Sequence, residues 1–113
     1  MNWINLRSEE QISEIIEKSK SKPCLIFKHS SRCSISSVAK HRVERQWDFD
    51  QEEVAPYYLD LINYRSVSNE ISSTFGVRHE SPQVLLIQNG QCVFNTSHLD
   101  ISVAGIRNGL QPA

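Results

Sequence analysis

Cys24-Leu25-Ile26-Phe27-Lys28-His29-Ser30-Ser31-Arg32-Cys33-Ser34-Ile35-Ser36 passes from an apolar run, through a polar joint, into a helix-compatible segment, Ser37 to Arg45. Four apolar residues in a row, without alternation, suit a strand buried on both faces, as in a sheet covered by helices on each side. A cysteine where such a strand gives way to a helix meets the unpaired N–H groups of the first helical turn and the positive end of the helix dipole. Both favour the thiolate, the reactive form of cysteine. Arg32, Lys28 and His29 are expected to add positive charge nearby, and Ser36 to offer the sulfur a hydrogen bond. Bringing an ordinary thiol from a pKa of about 8.5 to about 7 takes roughly 2 kcal/mol. A partly buried helix N-terminus offers up to about 2 kcal/mol, so the chemistry needs no metal. Cys33 is therefore expected to be the nucleophile of thiol exchange.

Towards the N-terminus, Trp3 to Leu6 reads as a short strand. Ser8-Glu9-Glu10-Gln11 fits a capping box, with Ser8 bonding forward and Gln11 reaching back. Ile12, Ile15 and Ile16 give the next helix its buried face, and Pro23 stops it. Beyond the joint, Val38, Ala39 and Val43 are expected to face the core, with His41, Arg42, Glu44 and Arg45 solvated. The acidic run Asp48 to Glu53 reads as a connection. Pro56 to Ile62 is aromatic and branched enough for a strand. Ser66 is expected to cap a helix with Val67, Ile71 and Phe75 inward, closed by Gly76. Gln83 to Gln88 is a strong strand, Asn89-Gly90 a hairpin turn, and Gln91 to Asn95 the return. Asp100 is expected to cap a last helix with Ile101, Ala104 and Ile106 inward, ending near Gly109 and Pro112. The order β-α-β-α-β-α-β-β-α implies an α/β protein with a parallel core and antiparallel strands at one side.

The chain has 113 residues, which suits a single domain, 1–113. Apolar residues make up 39% and charged residues 22%, the balance of a soluble globular protein. A net charge of -1 and no basic stripe argue against nucleic acid as a partner. No long apolar run predicts a membrane span, and the first residues lack the pattern of a signal peptide. Three cysteines without metal-type spacing suggest reduced thiols in the cytoplasm and no metal site.

This order resembles the thioredoxin fold, a three-layer arrangement with a mixed sheet of four to five strands flanked by helices. In that family a reactive cysteine opens a helix after the second strand, where this chain has Cys33. The family's second cysteine lies three residues on, where this chain has Ser36, so the motif Cys33-Ser34-Ile35-Ser36 is a monothiol form. The family's cis-proline before the fourth strand is matched by Pro82. Lys28 to Ser36, His79-Glu80-Ser81-Pro82-Gln83 and Ser97-His98 together resemble the monothiol bacilliredoxins. That resemblance implies a glutaredoxin-like removal of bacillithiol from protein mixed disulfides. Bacillithiol would be the co-substrate, S-bacillithiolated proteins the clients, and no cofactor would be tightly bound.

Strand geometry separates the three thiols. Cys24 begins the strand whose far end leads to Cys33, about 15 Å or more away, and a disulfide needs Cα atoms within about 7 Å. Cys92 follows the Asn89-Gly90 turn, at the end of the sheet opposite Pro82. A resolving thiol must therefore come from outside the chain. Pro82 is expected to leave the main chain of Ser81 open to an extended ligand. The return strand carries Ser97 and His98 back toward Cys33. His98 and His29 are candidates to stabilise a thiolate or relay a proton, or else to be solvated or core histidines. His79 and Glu80 are candidates for contact with the ligand, and Arg32 and Arg78 for its carboxylates. A rival reading is a redox-inactive adaptor that binds extended peptides at the Pro82 edge; another is a thiol peroxidase.

Overall fold

The computed structural model describes residues 1–112. Its elements run β1 (Ile4–Asn5), α1 (Glu10–Lys18), β2 (Cys24–His29), α2 (Ser34–Gln46), β3 (Ala55–Asp60), α3 (Arg65–Phe75), β4 (Gln83–Gln88), β5 (Gln91–Ser97) and α4 (Val103–Gly109). A 3-10 turn, His98–Asp100, joins the last two. The strands form one mixed sheet in the order β1-β3-β2-β4-β5. β1, β3 and β2 run parallel, and β4 and β5 are antiparallel to their neighbours. β2 is the middle strand and every residue of it is buried, as the unalternating apolar run requires.

Alternate residues of β2 feed two cores. Cys24 and Ile26 pack with Ile12 and Ile15 of α1 and with Val67 and Ile71 of α3. Leu25 and Phe27 pack with Ala39 and Val43 of α2 and with Val103 and Ile106 of α4. The strand period of two thus continues past the apolar run. Lys28 falls on the α1/α3 side and His29 on the α2 side. Asn89 (φ 53) and Gly90 (φ 76) both take the positive φ that a two-residue hairpin turn needs. Gly76 ends α3 at φ 64. No helix among the described residues is long and apolar enough to cross a membrane.

Four local expectations are corrected. Only the backward half of the capping box forms: Gln11 Oε1 accepts the N–H of Arg7 (2.7 Å) and of Ser8 (3.1 Å), while α1 has no side-chain cap bond. Helix α2 starts at Ser34, ahead of the expected Ser37, and buries Ser36, Ala39 and Val43. Val38 lies roughly 200° around the helix from Ser36 and is 52% exposed. Ser66 sits inside α3 rather than capping it; Tyr64 takes the N-cap and the Asp60 carboxylate braces the approach through the N–H of Ile62 (3.2 Å). Ser102, not Asp100, caps α4, accepting the N–H of Gly105 at 3.0 Å. Val103 and Ile106 then point inward, Ile101 is buried ahead of the helix, and Ala104 is exposed.

Candidate active site

Cys33 is the N-cap residue of α2, with extended backbone (φ -113, ψ 118) and no side-chain capping bond. A serine or aspartate at that position would satisfy an N–H of the first turn with its oxygen. Here a partly exposed, free sulfur stands in that place. The loop before it is tightly tied. The Cys33 N–H donates to the Ser30 carbonyl (3.1 Å), and the Ser37 N–H to the Cys33 carbonyl (3.1 Å).

Ser36 does not reach the sulfur. Its side chain is fully buried, with Oγ accepting the Ser30 N–H (3.0 Å) and bonding His29 Nδ1 at 2.7 Å. The serine in the place of a second cysteine is a structural clasp between the end of β2 and the first turn of α2. His29 is likewise committed. Its ring lies 5.7 Å from that of Tyr58, and burial, with the Lys40 charge second, holds it below the ordinary histidine range. His29 is thus a neutral core histidine at pH 7, and the expectation that it adds positive charge is corrected. So is the one for Lys28: its Nζ lies on the α3 side, against Ser72 Oγ (3.2 Å) and His79 Nδ1 (3.3 Å). Of the three expected cations, only the exposed Arg32 belongs to the cysteine loop.

Register brings the other segments to the same edge. Lys28 pairs with Gln83, which sets Pro82 at the end of β2 beside the Ser30–Cys33 loop. The Ser81–Pro82 peptide bond is cis. The Ser81 hydroxyl is buried without a hydrogen-bond partner, and its main-chain N–H and C=O form none among the described residues. Ser97 pairs with Gln83, and the His98 N–H donates to the Pro82 carbonyl (2.9 Å). His98 sits at φ 57 with its ring on the Glu80 carboxylate (3.2 Å). Arg42 of α2 donates to the Leu99 carbonyl (3.2 Å), which fixes the 3-10 turn against the helix that Cys33 opens.

Sequence reasoning missed Gln83. It is buried, and its amide clips the preceding loop, donating to the Arg78 carbonyl (3.0 Å) and accepting the Glu80 N–H (3.4 Å). An amide at the mouth of a fully buried strand was the available signal, because such a group must find partners.

The other thiols lie at the opposite end of the sheet. Cys24 and Cys92 both stand across from Ile87, one on each side of β4, about two strand spacings or 10 Å apart. Neither can bridge to the other or to Cys33. Burial pushes the Cys24 thiol up to about 11 and raises that of Cys92. Surface hollows, such as one of about 260 Å³ bounded by Met1, Trp47, Phe49 and Pro56, lie away from Cys33. Thiol exchange needs an open sulfur and an in-line partner rather than an enclosed cavity.

The comparisons with known proteins converge on this arrangement. A solved structure with a thioredoxin fold is 32% identical, with a TM-score of 0.81 over 94% of this chain and 91% of that one. Thioredoxin from Malassezia sympodialis is 16% identical, with a TM-score of 0.75 over 96% and 92% of the two chains. Fasciola hepatica thioredoxin is 16% identical, with a TM-score of 0.71 over 92% of each. The last two establish the thioredoxin fold alone. The family model described as monothiol bacilliredoxin BrxC matches residues 4–106, which takes in the Cys33 loop, the Ser81–Pro82 segment and His98. With a partly exposed cysteine at the head of α2 and serine in the second position, the chain belongs to the monothiol bacilliredoxin family of thiol oxidoreductases.

Proposed function

We propose that the protein removes bacillithiol from protein mixed disulfides, with Cys33 as nucleophile. The observation that carries the reading is the partly exposed Cys33 at the N-cap of α2, where no side chain caps the first-turn N–H groups and no second thiol is in reach. A helix N-terminus with uncapped N–H groups is the kind of place where a thiolate is favoured over a thiol.

The cycle has two steps. The Cys33 thiolate attacks the bacillithiol sulfur of a client; a Cys33–bacillithiol disulfide forms, and the client thiolate leaves with the electron pair. Free bacillithiol thiolate then attacks that disulfide, giving bacillithiol disulfide and the Cys33 thiolate. Each step exchanges one S–S bond for another, and the second consumes an external thiol because no resolving cysteine is available. The Ser81 main chain is the docking edge for the extended ligand, and its unpaired N–H and C=O support that role. Arg32 and Arg78, both exposed, suit the carboxylates of the small thiol. His98, held by Glu80, borders the same edge.

The test uses a bacillithiolated client and follows release of its thiol. Wild type is expected to release it and Cys33→Ser to release none. Equal release by the two proteins would overturn the assignment.

A further inference from the structure

Lys28 is fully buried, and its ammonium has no carboxylate partner among the described residues. Taking an ammonium out of water costs several kcal/mol, and a packed apolar side chain would fill the same space without that cost. Its partners are Ser72 Oγ and His79 Nδ1. An ammonium can only donate, so His79 Nδ1 accepts and the ring proton sits on Nε2. Ser68 Oγ lies 3.4 Å from the same Nδ1. Nε2 has no protein partner among the described residues, and His79 is exposed.

The ring therefore turns one fixed N–H to solvent with a positive charge behind it. The charged groups around it are Lys28 from β2, Arg65 from α3 and the adjoining Glu80. Glu80 is drawn aside to His98, which leaves the balance positive. Gln83 holds the segment on either side of His79 by main-chain bonds to Arg78 and Glu80. From His79 to Pro82 the chain spans at most about 10 Å, within reach of a small molecule lying along Ser81.

We infer that Lys28 is a positioning residue: by holding His79 at Nδ1, it fixes the outward Nε2–H as a donor to a carboxylate of the acidic low-molecular-weight thiol lying along Ser81–Pro82. This deepens the thiol-exchange reading proposed above and rests on it.

The experiment loads Cys33 with 2-nitro-5-thiobenzoate, verified by peptide mass. An attacking thiolate forms an S–S bond to Cys33, and the coloured thiobenzoate leaves with the electron pair. Mercaptosuccinate, with two carboxylates, is compared with 2-mercaptoethanol, which has none. The readout is the ratio of their second-order rate constants. Lys28→Met is expected to lower that ratio about three- to ten-fold, the scale of weakening one solvent-exposed hydrogen bond. His79→Phe should lower it equally although it keeps the lysine, and the double variant should go no further. Lys20→Met, which removes an exposed lysine paired with Glu17, should leave the ratio unchanged. Nitrogen NMR of His79 should show the proton on Nε2 in wild type and a mixture of tautomers in Lys28→Met. An unchanged ratio in Lys28→Met, or a wild-type His79 protonated on Nδ1, would overturn the inference. Failure of both thiols to release thiobenzoate from wild type would instead overturn the exchange chemistry itself.

Discussion

Replacing Lys28 with methionine is expected to stabilise the folded chain at neutral pH and to lose that advantage in alkali. Burial lowers the Lys28 ammonium from the ordinary 10.5 to about 8. That difference corresponds to about 3 kcal/mol of destabilisation of the charged form. Partial solvent screening and the hydrogen bonds to Ser72 and His79 that the variant forgoes reduce the net gain to about 1–2 kcal/mol at pH 7. The sign follows from linkage. Between about pH 8 and pH 10.5 the unfolded chain holds a proton on Lys28 that the folded chain has released, so wild-type stability rises across that window. Methionine has no proton to lose, so the gap between the two proteins should narrow as pH rises from 8 and close or reverse by 10.5, because the stability that wild type regains across that window is at least as large as the variant's advantage at pH 7. Urea denaturation at pH 7, 8.5 and 10 measures it, and the groups common to both proteins cancel in the difference. A gain that stays constant with pH, or a variant less stable than wild type at pH 7, would refute the reasoning.

Other perturbations follow from the same contacts. Ser36→Ala strips His29 Nδ1 and the Ser30 N–H of their shared buried partner; it should cost about 1–3 kcal/mol, read from the urea midpoint, and an unchanged midpoint would contradict the clasp. A Cβ at Gly109 would lie 2.5 Å from Phe94 Cγ and 2.7 Å from its Cβ, so Gly109→Ala should lower stability by about 1–3 kcal/mol unless the ring finds room, which thermal unfolding would reveal. In the native protein at pH 7, a thiol-alkylating reagent should modify Cys33 well before Cys24 and Cys92, whose thiols burial holds protonated, and all three should react together in denaturant.

The fold was legible because its signals were redundant. The unalternating run Cys24–Phe27, the Asn89-Gly90 turn and the closing Gly76 each demand one local structure, and they agree on the order of elements. Helix starts were harder. Ser8, Ser66 and Asp100 are all good caps by residue type, yet the caps are set by how each preceding strand or loop delivers the chain. Tyr64 stands at the N-cap of α3 because Asp60 has already braced the turn. At the site, Cys33, Pro82 and His98 could be placed from topology. The directions of Lys28, His29 and Ser36 could not be fixed the same way. They depend on where the period of two carries β2 past its apolar residues, and on a hydrogen bond between residues on different elements. A Lys28 charge beside the thiol is ruled out because consecutive strand residues face opposite layers; His29 does face α2, but burial against Ser36 disfavours its charged form.

The central claim is that one sulfur, at the head of α2, carries the exchanged group. Mixing the protein with a bacillithiolated client, quenching with acid and mapping the adduct by peptide mass spectrometry tests this most directly. The account predicts a single bacillithiol on Cys33, none on Cys24 or Cys92, and its disappearance when free bacillithiol is added. Release of the client with Cys33 unmodified, or an adduct on Cys24 or Cys92 instead, would contradict it.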